Sequence, residues 1–476
     1  MNCNNVNVEP TIIGGGNGSN AYDAFGRLRV SNPFTIFDST NVMSKNNLFD
    51  ESLTGSGTVS YTANKSTVNL NVTISGGDGS TAYDAFGRQR ISSPLTLFDS
   101  SHRYADNDLF NEDITGTASS TFNADQGLVE LDVGTASGDQ IIKESNKVFS
   151  YQPGKSLLIM NTFVMDTAKT NLRQRVGYFG AENGFYIEQD DTTVNLVKRS
   201  KITGSVVNTE IAQSSWNGDK LDGTGASGYT LDLTKSQILW MDMEWLGVGN
   251  VRIGFIINGT FIVCHTFQCA NILDSTYITT ASLPIRYEIT NTGTVASASQ
   301  LKQICSTVIS EGGYELRGRQ QAIGTVITSP YTLTTAGTYY PVASIRLKAA
   351  RLDAIAILTA LSILGTGNGI FYNWQVVAGG SITGGTWVSA GANSSVEYNI
   401  TGTAYTLGTG RILASGFMAS NNQTSASVDI LKEALFKFQL ERNTFTSTPE
   451  LLTIRLSSDT NTQDVFSSMD WEEISR

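Results

Sequence analysis

Along most of the chain, apolar residues alternate with polar ones, and Gly, Asn and Asp interrupt the alternation at short intervals. A period of two is typical of β-strands that pack one face against a core. The pair Asn258-Gly259 between two such runs predicts a tight hairpin turn. The region 141–318 is therefore predicted to be a jelly-roll, lectin-like β-sandwich. Its predicted strands are 157–165, 184–188, 193–199, 237–246, 251–257, 260–267 and 285–290.

A second series of alternating runs starts near residue 319, where the polar stretch GRQQAIGTVITSP begins, and predicts a C-terminal β-sandwich. The segment LDAIAILTALSIL has the Ala and Leu content of a helix, but its continuous apolar and β-branched residues favour a buried strand. The piece VDILKEALFKFQL is predicted to be a short helix or turn. The predicted strands are 342–347, 370–377, 395–400, 412–418, 451–457 and 465–474.

The N-terminal part of the chain is a tandem repeat. NAYDAFGRLRVSNPFTIFDST at 20–40 returns as TAYDAFGRQRISSPLTLFDSS at 81–101, with 14 of 21 positions identical. The fold class is therefore all-β, with two small tandem β-repeats ahead of the two sandwiches. A unit of about 60 residues buries little core alone, so we expect the repeats to lean on each other or on another chain. The predicted domains are repeat 1 at 1–73, repeat 2 at 74–140, and sandwiches at 141–318 and 319–476.

Each repeat carries an R-x-R pair directly after the sequence DAFG. The arginines either line a solvated strand face or form a docking contact with carboxylates nearby or on a partner. The docking interpretation makes the repeats the attachment end of the protein. Its candidate residues are Tyr22, Asp23, Phe25, Arg27, Arg29, Tyr83, Asp84, Phe86, Arg88 and Arg90.

The string A-[YF]-D-A-F-G-R-x-R-[VI]-S-x-P-x-T-x-F-D resembles one found in virion structural proteins of tailed bacteriophages, particularly phages of marine bacteria. The stretches SYQPGKS, WMDMEWLGVGNVRIGFIINGTF and SLPIRYEITNTG are similar to the same group. The resemblance implies a virion component, made in the host cytoplasm, with no catalytic residue carried over. It also implies contacts with other virion structural proteins and, as in elongated phage appendages, a homotrimer.

Composition narrows the classes of partner. Charged residues make up 16% of the chain, and the net charge of −11 with a pI near 4.8 disfavours binding to nucleic acid. No apolar stretch is long enough to predict insertion into a membrane. The N-terminus MNCNNVNVEP lacks the basic and apolar regions of a secretory signal, which disfavours a secreted adhesin.

Little in the sequence points to a metal or a cofactor, and we expect neither. The two histidines, His102 and His265, are isolated, and the acidic turns at 123–127 and 189–191 suit solvated turns better than calcium loops. The cysteines have no metal-ligand spacing and are expected to be free thiols. They are Cys3, Cys264, Cys269 and Cys305.

The alternation Trp240, Asp242, Glu244 places two carboxylates on one side of a predicted strand. Such a pair could act as acid and nucleophile in glycan cleavage, but the further acidic residue typical of that arrangement is missing from WLGVGNV. An exposed acidic strand face is favoured, ahead of a carbohydrate contact with Trp240 or Trp245 as a stacking platform. We therefore expect a non-enzymatic virion protein, with a host-glycan-binding receptor protein or polysaccharide depolymerase as the alternative.

Overall fold

The computed structural model describes residues 93–420, 438–446 and 448–474 with their side chains, together with the backbone of five strand segments and Ser475. Strands build all of its layers, and two 3₁₀ turns, Gln213–Ser215 and Ala349–Arg351, interrupt them. The fold class is all-β, as the alternation predicted. The five backbone segments are 28–29, 58–64, 67–73, 91–92 and 426–429.

In the described part of the chain, four strands precede the first sandwich: β1 (Leu28–Arg29), β2 (Thr58–Asn64), β3 (Thr67–Thr73) and β4 (Ile91–Ser92). β1 pairs in parallel with β4, so the stretch after the first DAFG lies beside the stretch after the second. β2 and β3 form an antiparallel hairpin. The rest of repeat 1 lies outside the described residues.

The first sandwich consists of two antiparallel sheets packed face to face. One has the order β17-β16-β15-β10-β19-β8-β7, with β5 also paired to β19, and the other has the order β14-β13-β12-β11-β18-β9-β6. The strands are β5 (Leu95–Ser101), β6 (Phe110–Thr115), β7 (Ser119–Asn123), β8 (Leu128–Val133), β9 (Gln140–Ser145), β10 (Leu157–Val164), β11 (Leu172–Phe179), β12 (Gly184–Asp190), β13 (Thr193–Ser200), β14 (Val207–Ala212), β15 (Gln237–Met243), β16 (Val251–Ile257), β17 (Thr260–Phe267), β18 (Ile285–Asn291) and β19 (Ser299–Ser310).

Repeat 2 does not stand apart from this sandwich. β5, β7 and β8 belong to the eight-stranded sheet, and β6 and β9 belong to the seven-stranded sheet. The boundary predicted between residues 140 and 141 therefore lies inside the sandwich. The physical reason is that a module of this size buries too little apolar surface to be stable alone. Its strands gain burial by joining the larger sheets.

The hairpins of the two repeats correspond in sequence but differ in register. At an offset of 61 residues β2 and β3 overlie β7 and β8, yet Asn64 pairs with Thr67 whereas Asn123 pairs with Leu128. The shift of two residues keeps the same side chains on each face. Both repeats therefore form a hairpin at this position but with different cross-strand pairs, and β2 and β3 form a sheet of their own whereas β7 and β8 join the eight-stranded sheet. The two DAFGR turns lie outside the described residues, so the expected equivalence of the two modules stays a prediction.

The predicted runs of this region coincide with strands, and β16 and β17 match their predicted bounds. Between these two, Asn258 and Gly259 have φ values of 51° and 77°, the left-handed conformation that a two-residue type I′ turn requires. Side chains that alternate inward, such as Leu239, Met241 and Met243 of β15, fill the core between the sheets. Fully burying each contributes roughly 1.5–3 kcal/mol.

The second sandwich packs a five-stranded sheet, order β20-β34-β23-β30 with β21 beside β34, on a six-stranded sheet, order β26-β27-β22-β33-β24-β29. LDAIAILTALSIL forms β23, so the preference for a buried strand over a helix is confirmed. Most of VDILKEALFKFQL lies outside the described residues. The strands are β20 (Arg319–Gly324), β21 (Tyr331–Leu333), β22 (Tyr340–Leu347), β23 (Ile355–Gly365), β24 (Phe371–Ala378), β25 (Ser381–Thr383), β26 (Val388–Ser389), β27 (Val396–Asn399), β28 (Ala404–Thr406), β29 (Arg411–Ala419), β30 (Ala426–Asp429), β31 (Arg442–Asn443), β32 (Thr448–Pro449), β33 (Leu452–Ser458) and β34 (Gln463–Ser475).

Apolar and charged contacts join the two sandwiches. Val148 of the first packs with Ile355 and Ile357 of the second in a small buried cluster. Beside it, Gln439 Nε2 donates to the Val148 carbonyl oxygen at 2.8 Å, and Arg442 Nη1 donates to the Ser145 carbonyl oxygen at 2.8 Å. The two cores are therefore coupled through directional bonds as well as packing.

Candidate functional site

Trp240 does not form a stacking platform. It lies on the outward side of β15 but is only 1% exposed. Gly254 sits directly opposite it on β16, and the ring of Phe261 meets it edge-on with centroids 5.4 Å apart. The alternation correctly placed the side chain away from the core, but neighbours on β16 and β17 cover it. The predicted carbohydrate contact at this residue is therefore wrong.

Asp242 is fully buried rather than part of an exposed acidic face. Its carboxylate forms an ion pair with Arg252, which is its direct partner on β16. Glu244 lies beyond the end of β15, is half-buried, and accepts a hydrogen bond from the Asn250 backbone N–H. Asp242 is therefore buried and paired with Arg252 while Glu244 stands outside the strand, so the two do not form the exposed acidic strand face that the sequence predicted. Trp245 packs edge-on against Tyr277, with ring centroids 5.0 Å apart.

The other predicted site residues concern the repeats. Among the docking candidates, Arg29 is placed by its backbone, which pairs with Ser92 across β1 and β4. The remaining nine lie outside the described residues, so the docking interpretation stays a prediction.

A group of charged side chains linked by ion pairs lies on the outward face of the seven-stranded sheet. β9, β11, β12, β13 and β18 contribute to it, and most of its members are buried. We call it the arginine–glutamate cluster. It consists of Glu144, Arg173, Arg175, Glu188, Arg199, Arg286 and Glu288.

Arg175 is the centre of this cluster. Its Cα is the direct partner of both Glu188 on β12 and Glu288 on β18. The guanidinium lies 2.5 Å from Glu188 Oε2 and 3.0 Å from Glu288 Oε1. One arginine thus bridges two carboxylates across three neighbouring strands, and the register of the sheet alone places them there.

The electrostatics of Glu288 keep it ionised. Burial acts to raise the pKa of this carboxyl, but the charges of Arg286, Arg175, Arg173 and Arg199 outweigh burial and lower the pKa below its ordinary value. A general acid near neutral pH needs a raised pKa instead. Glu288 is therefore suited to holding arginines in place and unsuited to donating a proton.

Arg199 differs from the other arginines of the cluster. Its hydrogen bonds go to neutral oxygens: Asn208 Oδ1 at 3.1 Å, the Gly180 carbonyl at 3.3 Å and the Tyr186 hydroxyl at 3.2 Å. Its guanidinium also lies 5.5 Å from the ring centre of Phe179. Burial lowers the pKa of this side chain from its usual high range. Chemically the cluster can order arginines and weakly attract an anion near Arg199, but it offers no free acid–base pair.

The sequence carries a signal for this cluster. Arg173 and Arg175 have the same R-x-R spacing as the repeats, and Arg286-Tyr-Glu288 shows the same alternation on β18. Alternation predicts that these side chains share the outward face of their strands. β12 follows β11 directly and pairs with it as a hairpin, whereas the pairing of β11 with β18 joins Arg175 to a residue 113 positions away, which alternation alone does not predict.

Comparisons with known proteins give likenesses of fold alone. No protein-family model and no curated protein matches the sequence. Among solved structures, the carbohydrate recognition domain of Emp47p is 10% identical with a TM-score of 0.30, covering 46% of this chain and 96% of that one. The legume lectin-like domain from Entamoeba histolytica is 12% identical with a TM-score of 0.28, covering 46% and 99%. A glycoside hydrolase family protein from Mycobacterium thermorestibile is 8% identical with a TM-score of 0.31, covering 44% and 99%.

These TM-scores are too low to carry a site or an activity from any of the three proteins to this chain. No helix among the described residues has the length and apolarity to cross a membrane. No group of three or more histidine, cysteine, aspartate or glutamate side chains there is placed to hold a metal ion.

Proposed function

We propose that this chain is a non-enzymatic structural component of a tailed-phage virion, exposed on the particle surface and docked through its N-terminal repeats. The observation that carries the proposal is the duplicated AYDAFGRxRxSxPxTxFD string, with its resemblance to phage virion proteins. In this proposal the protein is made in the host cytoplasm and serves in a tail, baseplate, fibre or capsid decoration. Its partners are copies of itself, as a homotrimer, and other virion structural proteins.

Two features of the sandwiches support a structural role. The carboxylates of the arginine–glutamate cluster are bound by arginines, so they hold neighbouring strands together and are not free to act as general acids or bases. The contact around Arg442 joins the two sandwiches. Sandwiches with their own cores suit an outward position, whereas the small repeats need a support to pack against.

The test is localisation in an intact particle. Gold-labelled antibody against the second sandwich should decorate purified virions at a fixed position. Changing Arg27, Arg29, Arg88 and Arg90 together to Gln should prevent incorporation, because a docking contact with carboxylates needs the guanidinium charge.

The matched control uses another R-x-R pair in the same chain. Arg317 and Arg319 are both exposed and lie outside the repeats, so their change to Gln should leave incorporation intact. Virions that lack the protein, or equal incorporation of both variants, would overturn the proposal.

The alternative is a glycan-binding receptor protein or a depolymerase. Burial of Trp240 and the ion pair of Asp242 remove the support for the predicted site on the first sandwich. A different observation favours glycan recognition on the second sandwich, where Phe417 is 82% exposed beside a row of amide side chains.

A further inference from the structure

We infer that the outward face of the six-stranded sheet, where β24 lies between β33 and β29, binds a polysaccharide segment that presents vicinal hydroxyl groups and an apolar sugar-ring face. The inference deepens the glycan-recognition alternative and rests on it, and it is independent of the virion assignment. We call this surface the amide–aromatic face. It consists of Tyr339, Phe371, Asn373, Gln375, Ser415, Phe417 and Arg455.

The strand register places these side chains in a regular grid. On β24, Phe371, Asn373 and Gln375 alternate outward, while Tyr372 and Trp374 point into the core. On β29, Phe417 is the direct partner of Asn373, and Ser415 is the direct partner of Gln375. Neighbouring strands lie about 4.8 Å apart and alternate residues about 6.8 Å apart, spacings similar to the size of a sugar ring.

The aromatic part of the face is open to solvent. Phe417 is 82% exposed and Phe371 is 62% exposed, so most of the surface of each side chain takes no part in packing on the sheet. They are diagonal neighbours on β29 and β24, and β29 is the terminal strand of its sheet. A flat, exposed ring is suited to stacking against the C–H groups of a pyranose.

The polar part of the face is held in one orientation before any ligand arrives. Arg455 donates from Nε and Nη2 to Gln375 Oε1 at 2.8 and 2.6 Å, which turns the Gln375 amide nitrogen towards Tyr339 and Asn373. The Tyr339 hydroxyl donates to Asn373 Oδ1, and Asn373 Nδ2 donates to the Gly416 carbonyl at 3.0 Å. Ordered amides lose little entropy on binding, which favours recognition of hydroxyl groups.

Arg455 supports this network from the neighbouring strand β33, where it is the direct partner of Gln375. It is 8% exposed, and its guanidinium lies 4.4 Å from the ring centre of Tyr339 and 5.3 Å from that of Tyr405. Within the described residues no carboxylate is within ion-pair distance of it, and Gln375 and the two rings surround it instead. We assign Arg455 as a positioning residue for Gln375.

The chemistry of the face argues against other occupants. It contains a single cation on a chain of net charge −11, whereas binding to a phosphate backbone needs several. Most of its grid is amide, hydroxyl or guanidinium, whereas the centre of a stable contact between copies is mainly apolar. Two rings beside preordered amides match the mixed apolar and hydroxyl surface of a sugar.

The test uses the purified chain on an array of immobilised dextran and laminarin as neutral polysaccharides, alginate as a uronate polymer and carrageenan as a sulfated one. We expect saturable binding to a neutral polysaccharide. Phe417→Ala should weaken it about tenfold by removing the stacking ring, and Phe417→Trp should restore it. Gln375→Ala should weaken it by a similar factor.

Tyr104→Ala is the matched control, because Tyr104 is 83% exposed on the first sandwich and its change should leave binding unaltered. Circular dichroism on each variant establishes that the fold is kept. The inference is wrong if none of the four polysaccharides binds, if Phe417→Ala binds as well as the unmodified chain, or if that change alters the oligomeric state instead. Particle labelling is a separate measurement, so the virion proposal can fail or succeed independently.

Discussion

Arg442 of the second sandwich and Glu144 of the first form an ion pair with Nη2 and Oε1 3.0 Å apart, and both side chains are only 2% exposed. Glu144 is also bound by Arg286 at 3.2 Å, so the contact extends the arginine–glutamate cluster into the second sandwich. Arg442 further bonds the Ser145 carbonyl oxygen. One buried arginine therefore ties the charged face of one sheet to the neighbouring sandwich.

Replacing Arg442 by Ala should destabilise the protein by about 3 kcal/mol, the low end for breaking a buried pair, because Arg286 still compensates Glu144. Urea unfolding should also show a split into two transitions, since the sandwiches lose a directional link. Arg317→Ala is the control. Its side chain is 78% exposed and pairs with Glu315, so the loss should stay below about 1 kcal/mol. Equal effects of the two changes would contradict the coupling role.

Asp242→Asn should destabilise the protein by about 2 kcal/mol, because a fully buried carboxylate loses its charge-assisted contact with Arg252. Glu244→Gln should cost less than about 1 kcal/mol, since Glu244 is half-buried. Thermal and urea unfolding measure both. We expect no polysaccharide cleavage by any of these proteins. Cleavage by the unmodified chain that Asp242→Asn abolishes would instead identify a depolymerase.

Glu288 should make the protein sensitive to acid. Its pKa is lowered in the folded state, because four arginines outweigh the opposing effect of burial. Above its ordinary pKa of 4.5 the contribution to stability is fully present. As pH falls below that value the unfolded chain takes up a proton first, so the contribution is lost down to the lowered folded pKa.

The measurement is urea unfolding at pH 7 and at several values below pH 4.5. Glu288→Gln should cost about 3 kcal/mol at pH 7, and its difference from the unmodified chain should shrink as pH falls. Glu182→Gln is the control, because Glu182 is 52% exposed in a surface pair with Lys201. A difference for Glu288→Gln that stays constant with pH would show that the carboxylate charge is not what stabilises the cluster.

The strands were predictable because they depend on local alternation. β16 and β17 match their predicted bounds, and the Asn258-Gly259 turn has the predicted left-handed conformation. The composition of β23 allowed a helix, but its β-branched residues and its burial on both faces favour a strand. The alternation within each segment was sufficient to predict the strand because the neighbouring strands pair with it along its length.

The candidate site was not predictable in the same way. Alternation places Trp240 and Asp242 on the outward side of β15, but it cannot show that Phe261 and Arg252 cover them from other strands. The Glu188–Arg175–Glu288 arrangement likewise depends on which strands pair. Burial of an outward face and cross-strand ion pairs are both set by strand pairing and register, which alternation within one strand does not specify.

A test of the attachment role of the repeats needs a truncated chain in which the first sandwich is intact. Because β5 to β9 belong to its sheets, removing residues 1–134 would delete four sandwich strands, β5 to β8. Removing residues 1–92 takes away both DAFGR stretches and the β2–β3 hairpin but keeps every strand of the two large sheets. We expect the shortened chain to fold with an unchanged unfolding midpoint.

Light scattering on the 476-residue chain should give a trimer, and the shortened chain should fail to bind particles that lack the protein. The physical reason is that a small repeat gains most of its burial from a partner, so its contacts are available for docking. If the shortened chain remains a trimer, self-association belongs to the sandwiches, and the repeats keep only the docking role. If the 476-residue chain is monomeric and also fails to bind such particles, neither the oligomer nor the attachment by the repeats stands.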